Sequence, residues 1–184
     1  MDEGRTVVEL QYLQRDSALI SILSLMEGNL NRICSEFEIC LESPIKLKDL
    51  SGKGSLDNYW NFFVKIIDVD IGDMKDLFRR IKDYYYLRNR IIHEKSIFKD
   101  AKKAKEFELR YPELKIYEDI YWHKFYIKDE KFLFNLIEIL FDFFAKLYMK
   151  LSNRIIAPIS IFIDSNTVLK PDEPIKKNDN RSKK

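Results

Sequence analysis

Arg88, Asn89 and His93 lie close together in the sequence and carry side chains suited to breaking a phosphodiester bond. Histidine transfers protons near neutral pH, because its ordinary pKa is about 6.5. Arginine keeps its charge and donates two parallel hydrogen bonds from a planar guanidinium, which suits the stabilisation of a phosphorane. Together they are chemically sufficient for metal-independent RNA cleavage. We predict that His93 transfers protons, that Arg88 stabilises charge and that Asn89 supports them.

Arg88 occupies a position where an amphipathic helix would carry an aliphatic residue. At about 100° per residue, it lies in the middle of an apolar stripe. It either snorkels outward or is held by an anionic partner at an internal or intersubunit surface. Arg88 and His93 diverge by about 140°, whereas Asn89 and His93 share a face. The pair converges only if the helix frays or kinks, if the arginine swings across, or if a second subunit supplies one member.

The segment Arg88-Asn89-Arg90-Ile91-Ile92-His93 resembles the R-x4-6-H motif of the HEPN superfamily, in which an arginine followed by a polar residue precedes a histidine late in a helix. These are small all-α domains, many of them metal-independent ribonucleases. The resemblance implies a homodimer with a composite active site, RNA as the partner and products that end in a 2′,3′-cyclic phosphate. A second copy also solves a chemical difficulty, because one histidine cannot easily be both base and acid.

RNA binding must depend on local clusters of charge, because 32 basic and 30 acidic residues give a net charge of only +2. Arg79, Lys82, Arg90 and Lys95 are the predicted RNA-binding residues of the motif helix. The lysines between 99 and 105 extend the same surface. A solvated helix face is the simpler interpretation of such a pattern.

Long stripes with a 3.6-residue period and only five glycines and five prolines indicate an all-α fold of four helices with no more than marginal strand. The order of these helices resembles a HEPN domain, which implies a four-helix HEPN-like bundle. The first predicted helix covers about 7–42, in one piece or with a new start at Asp16-Ser17. The second begins at a cap on Ser55, the third covers about 74–93 with Asp73 as its cap, and the fourth covers about 129–151. A charged and aromatic connector precedes the last helix. Within it, 96–110 is an exposed loop or short helix, and 116–127 is irregular. His123 is expected to be a half-buried hydrogen-bonding residue.

The expected organisation is one domain over 1–152 and a tail over 153–184, apolar at 155–163 and disordered at 170–184. Cys34 and Cys40 are expected to be reduced, and neither a metal site nor another cofactor is predicted. The absence of a signal peptide or an apolar run of membrane-spanning length indicates a cytoplasmic chain with no membrane partner.

Three functions remain open. The first is a metal-independent endoribonuclease of the toxin or phage-defence type, with an antitoxin or a regulatory protein as a further partner. The second is a HEPN-like domain that binds RNA or a nucleotide without cleaving it and acts as a regulatory or interaction module. The third is a helical scaffold in which Arg88 snorkels and His93 is incidental.

Overall fold

A computed structural model describes the backbone of residues 3–52, 54–119 and 121–166, and side chains within 7–153. Its described helices are α1 (Glu3–Cys40), α2 (Ser55–Lys65), α3 (Lys75–Glu94), α4 (Ala101–Arg110) and α5 (Lys131–Asn166). Single 3-10 turns lie at Leu47–Asp49 and Gly72–Met74. The predicted helical character is confirmed, and α1 is continuous through Asp16-Ser17.

The last helix is longer than predicted, because α5 continues from residue 151 to Asn166. The predicted tail therefore begins inside this helix. The helix continues through Pro158, since a proline removes one backbone hydrogen bond of a helix without necessarily ending it. The disorder predicted for 170–184 lies outside the described residues.

The segment 116–127, predicted to be irregular, contributes most of a small antiparallel sheet. Its strands are β1 (Ile97–Phe98), β2 (Leu114–Glu118) and β3 (His123–Ile127), in the order β1-β3-β2. Leu114, Phe125 and Ile127 are buried on its inner face, which gives these strands the alternation expected of a half-buried sheet. The fold thus departs from the predicted all-α four-helix bundle by this sheet, whereas α4 is the short helix that was one of the two expectations for 96–110.

Helix α3 packs against both α1 and α5, which places the motif helix next to the core. Its buried residues are Ile81, Tyr84 and Leu87, all on one side of the helix. The small sheet and α4 join this core through an aromatic cluster in which the Phe98 ring lies 5.4 Å from that of Phe107 and 5.2 Å from that of Phe125. The sheet therefore closes one side of the core beside the end of α3.

Two predicted helix caps are wrong. Ser55 is the first residue of α2, and its hydroxyl contacts Glu27 and Tyr85 instead of capping the backbone. Asp73 lies in the 3-10 turn before α3, and its carboxylate pairs with Lys150 at 2.8 Å. In both cases a tertiary partner takes the side chain that local sequence assigned to a cap.

Candidate functional site

The motif helix is unbroken through Arg88 and His93, since α3 ends only at Glu94. Lys95 then adopts a left-handed conformation with φ 52° and ψ 37°, and Ser96 follows with φ 64°. The amides of Lys95 and Ser96 both donate to the carbonyl of Arg90, the latter at 3.0 Å. Fraying of the helix before His93 therefore does not bring the motif residues together.

Arg88 has an internal anionic partner. Its guanidinium lies 3.8 Å from the carboxylate of Glu27 on α1, and the two side chains are only 19% and 23% exposed. It also donates a 2.9 Å hydrogen bond to Oδ1 of Asn89 and lies 5.4 Å from the centre of the Tyr85 ring. The buried Nε of Arg88 has no hydrogen-bond partner among the described residues. Of the two expectations for this arginine, the internal partner is the one observed.

Glu27 is a member of this cluster that lies outside the motif and was not predicted from the sequence. Its carboxylate accepts hydrogen bonds from the hydroxyls of Tyr85 at 2.6 Å and Ser55 at 3.2 Å. Burial, followed by the hydrogen bond to Glu27, raises the pKa of Tyr85. A sequence signal existed, because Leu23, Glu27 and Leu30 follow helical spacing, so a charge interrupts the apolar stripe of α1 just as Arg88 interrupts that of α3.

His93 and Asn89 lie on a different side of α3 from Arg88. His93 is exposed and Asn89 is half-buried. Within the described part of the chain, the His93 ring makes no hydrogen bond or ion pair. Arg88 and Asn89 are therefore joined directly by a hydrogen bond, whereas His93 stands apart with its ring free to meet a ligand or a second chain.

The cations predicted to bind RNA are mostly paired with carboxylates. Arg79 lies 3.2 Å from Asp76, Lys82 lies 2.8 Å from Asp57, and Glu94 lies 2.6 Å from Arg90 and 2.8 Å from Lys99. The hydrogen bond from Lys99 and the nearby charge of Arg90 lower the pKa of Glu94. Such pairs cancel the field that would attract phosphate at a distance.

Lys95 differs from these cations, because no carboxylate of the described residues lies within 4.0 Å of its ammonium group. The assignment of all four predicted cations to RNA remains a prediction, and Lys95 is the member whose charge is not locally balanced.

His123 lies half-buried on β3, where it pairs with Phe98 of β1 and Glu118 of β2 through the strand register. Its buried Nδ1 finds no hydrogen-bond partner among the residues that the structure describes, so the predicted hydrogen-bonding role is not seen. Cys34 is buried and Cys40 exposed, and both are free thiols, as predicted.

An apolar groove of about 540 Å³ lies between α1 and α5. Leu25 is 70% exposed there and Phe141 75%. An exposed patch of this composition is typical of a protein contact surface. On α3, by comparison, the large apolar side chain left most exposed among the described residues is Ile92 at 42%.

The described residues contain no cluster of three or more His, Cys, Asp or Glu side chains that could hold a metal ion. None of the described helices is long and apolar enough to cross a membrane. Comparison with known proteins adds no relative, since no family model, no curated protein and no solved structure matches this chain.

Proposed function

We propose that this chain is a metal-independent endoribonuclease of the HEPN type that acts as a homodimer. The observation that carries the proposal is the polar cluster on the motif helix. Arg88 is held at the edge of the core by Glu27 and Asn89, and an exposed His93 follows on the same helix. A guanidinium fixed before substrate arrives stabilises developing charge without reorganisation.

The proposed reaction is attack by a 2′-hydroxyl oxygen on the neighbouring phosphorus. The bond from phosphorus to the 5′-oxygen breaks, leaving a 2′,3′-cyclic phosphate on one product and a 5′-hydroxyl on the other. The proton of the 2′-hydroxyl passes to a neutral histidine, and a protonated histidine gives one to the leaving 5′-oxygen. Arg88 donates hydrogen bonds to the phosphorane, and Asn89 holds the guanidinium.

A second copy of the chain is part of this proposal. The 140° between Arg88 and His93 on a straight helix prevents one chain from pointing both side chains at the same phosphate. A second copy removes this difficulty if its His93 reaches the phosphate that Arg88 of the first copy contacts. Two copies related by a two-fold axis then also supply two His93 rings, one as base and one as acid. Ile92 and His93 are then interface residues.

A toxin or phage-defence role in the cytoplasm belongs to the same proposal and is supported by the resemblance of the motif alone. An RNA-binding module without catalysis is the second candidate. The observation that favours it is that no described residue orients the His93 ring.

RNA cleavage in the presence of a chelator separates the two candidates. The ribonuclease is expected to cut single-stranded RNA in EDTA and to lose that activity in His93→Ala while its RNA affinity is kept. His123→Ala removes the other histidine of the chain and is the matched control. Binding with no cleavage by the unaltered chain would favour the second candidate, and cleavage that survives His93→Ala would remove His93 from the mechanism.

A further inference from the structure

A cleft of about 500 Å³ opens between α1, the end of α3 and the outer face of β3. We call it the α1–β3 cleft and define it by its two carboxylates, two lysines and two tyrosines, Glu9, Asp16, Lys95, Lys124, Tyr12 and Tyr126. Its volume falls in the range of pockets that hold small organic ligands. Lys95 follows His93 by two residues, so the cleft adjoins the motif.

The two cations of the cleft form no ion pair among the described residues, although the charge of Lys124 favours the ionised form of Asp16. Lys95 and Lys124 have no carboxylate of the described residues within 4.0 Å, in contrast to the paired cations along α3.

The left-handed turn that carries Lys95 is fastened to the sheet, because the amide of Phe125 donates to the carbonyl of Ser96 at 3.0 Å. Left-handed backbone costs a residue with a side chain about 1–2 kcal/mol, and strain of this kind tends to occur at functional sites. The turn therefore holds a lysine beside the cleft at an energetic cost.

Aromatic rings form the floor of the cleft and continue over the sheet. Tyr12 packs on Tyr126 with ring centres 4.8 Å apart, and Tyr126 meets Tyr117 at 5.4 Å. The strand register places Lys115 opposite Tyr126 and Lys124 opposite Tyr117 on the outer face. Proteins bind single-stranded nucleic acids on surfaces of this kind, because the bases stack on aromatic rings while the phosphates contact cations.

Asp16 makes the cleft unsuitable for a bare anion. Its buried Oδ1 has no hydrogen-bond partner in the described part of the chain. Asp16 also lines the cleft, so a ligand that offers an N–H or O–H donor to its carboxylate and an anionic group to the lysines fits best. A ribonucleotide has both, in its base or 2′-hydroxyl and its phosphate, whereas inorganic phosphate alone would be repelled by an ionised Asp16.

We propose that the α1–β3 cleft binds one nucleotide of single-stranded RNA and that the strand continues over Tyr117 on the outer face of β2 and β3. Lys95 and Lys124 contact phosphates, a base stacks in the cleft with Tyr126, and Asp16 accepts a hydrogen bond from the nucleotide. The inference rests on the proposed ribonuclease function. It places the RNA strand on the cleft and the sheet and not on the face of α3, where most cations pair with carboxylates.

The test is the fluorescence anisotropy of a labelled single-stranded RNA, measured across a salt series in a His93→Ala background that does not cleave. Lys95→Gly removes the charge and relieves the left-handed strain, so weaker binding cannot be ascribed to a weaker fold. Lys124→Gln removes the second charge, and Tyr117→Ala removes a ring that is 43% exposed. Lys65→Gln, an exposed lysine in the last turn of α2 outside the cleft, is the control.

Each lysine variant is expected to flatten the slope of log affinity against log salt by about 0.7, the value for one lost phosphate contact on a single strand. Tyr117→Ala should weaken binding roughly 5- to 150-fold, as loss of one stacked base does. Lys65→Gln should change neither quantity.

Different outcomes would refute the proposed cleft and the proposed ribonuclease function. If the unaltered chain cleaves RNA and the cleft variants bind like Lys65→Gln, the cleft assignment is wrong and the proposed function stands. If the unaltered chain cleaves no RNA but the cleft variants lose binding, the cleft stands as the site of a non-catalytic module. A chain that neither binds nor cleaves RNA overturns both proposals.

Discussion

The ion pair between Glu27 and Arg88 should stabilise the fold through a measurable coupling. The two groups are 3.8 Å apart and mostly buried. Opposite unit charges at about 4 Å attract by about 4 kcal/mol at an effective dielectric constant of 20. Desolvation of both groups opposes this attraction, so we expect a net coupling of about 1–2 kcal/mol.

A double-mutant cycle measures this coupling directly. Glu27→Gln, Arg88→Met and the double variant are compared with the unaltered chain by urea denaturation. Either single change leaves a poorly solvated charge without its partner and should lower the free energy of unfolding by about 1–3 kcal/mol. For a chain of this length the melting temperature should fall by about 2–4 °C for each kcal/mol.

The matched control is the pair Arg32 and Glu36 on α1. These groups lie 3.9 Å apart, almost the same distance, but their side chains are 66% and 67% exposed. Their coupling should be about 0.5 kcal/mol or less. Additivity of Glu27→Gln and Arg88→Met within about 0.5 kcal/mol would show that Glu27 does not hold Arg88, and the preorganised arginine would be lost from the mechanism.

Three further outcomes are expected. Burial raises the pKa of Asp16 to about 6, so its ionisation lowers the stability of the fold as pH rises from about 4 to 6. Asp16→Asn should therefore have a higher melting temperature than the unaltered chain at neutral pH, and the two melting temperatures should converge near pH 4. An equal difference in melting temperature at both pH values would refute this. Phe98→Ala should lower the free energy of unfolding in urea by about 3–5 kcal/mol, because Phe98 is fully buried in the aromatic cluster, and a loss below about 1 kcal/mol would mean that the sheet is not part of the core. In sedimentation velocity Ile92→Glu should convert the proposed dimer to monomer, and Phe141→Glu, in the groove between α1 and α5, should not. The reverse result would move the interface to the groove and remove the composite site.

The long helices were predictable because each carries an apolar stripe several turns long. Leu133, Leu136, Leu140 and Leu147 of α5, for example, repeat at helical spacing, and all four lie in or against the core. The sheet was not predictable in this way. Its first strand has two residues, and it pairs with β3 across more than twenty intervening positions, so no local period marks it.

The candidate site, like the fold, has features that local sequence predicts and others that depend on how the helices pack. The position of Arg88 on an apolar face left two possibilities, outward snorkelling or an anionic partner, and the structure shows the partner, Glu27. Its identity depends on how α1 crosses α3, which local sequence does not specify. The pairing of Arg79 with Asp76 and of Arg90 with Glu94 follows helical spacing and was open to prediction, whereas that of Lys82 with Asp57 needed the packing of α2.

The most direct measurement of the central proposal is the rate at which the purified chain cuts single-stranded RNA in EDTA, compared with His93→Ala. The unaltered chain should release products ending in 2′,3′-cyclic phosphate without a divalent metal. His93→Ala should be slower by roughly 10²- to 10⁴-fold, the usual contribution of a general acid or base, with its melting temperature and RNA affinity unchanged. His123→Ala should cleave at nearly the original rate. Cleavage that requires added divalent metal, or a His93→Ala variant that cuts as fast as the unaltered chain, would contradict the proposed ribonuclease.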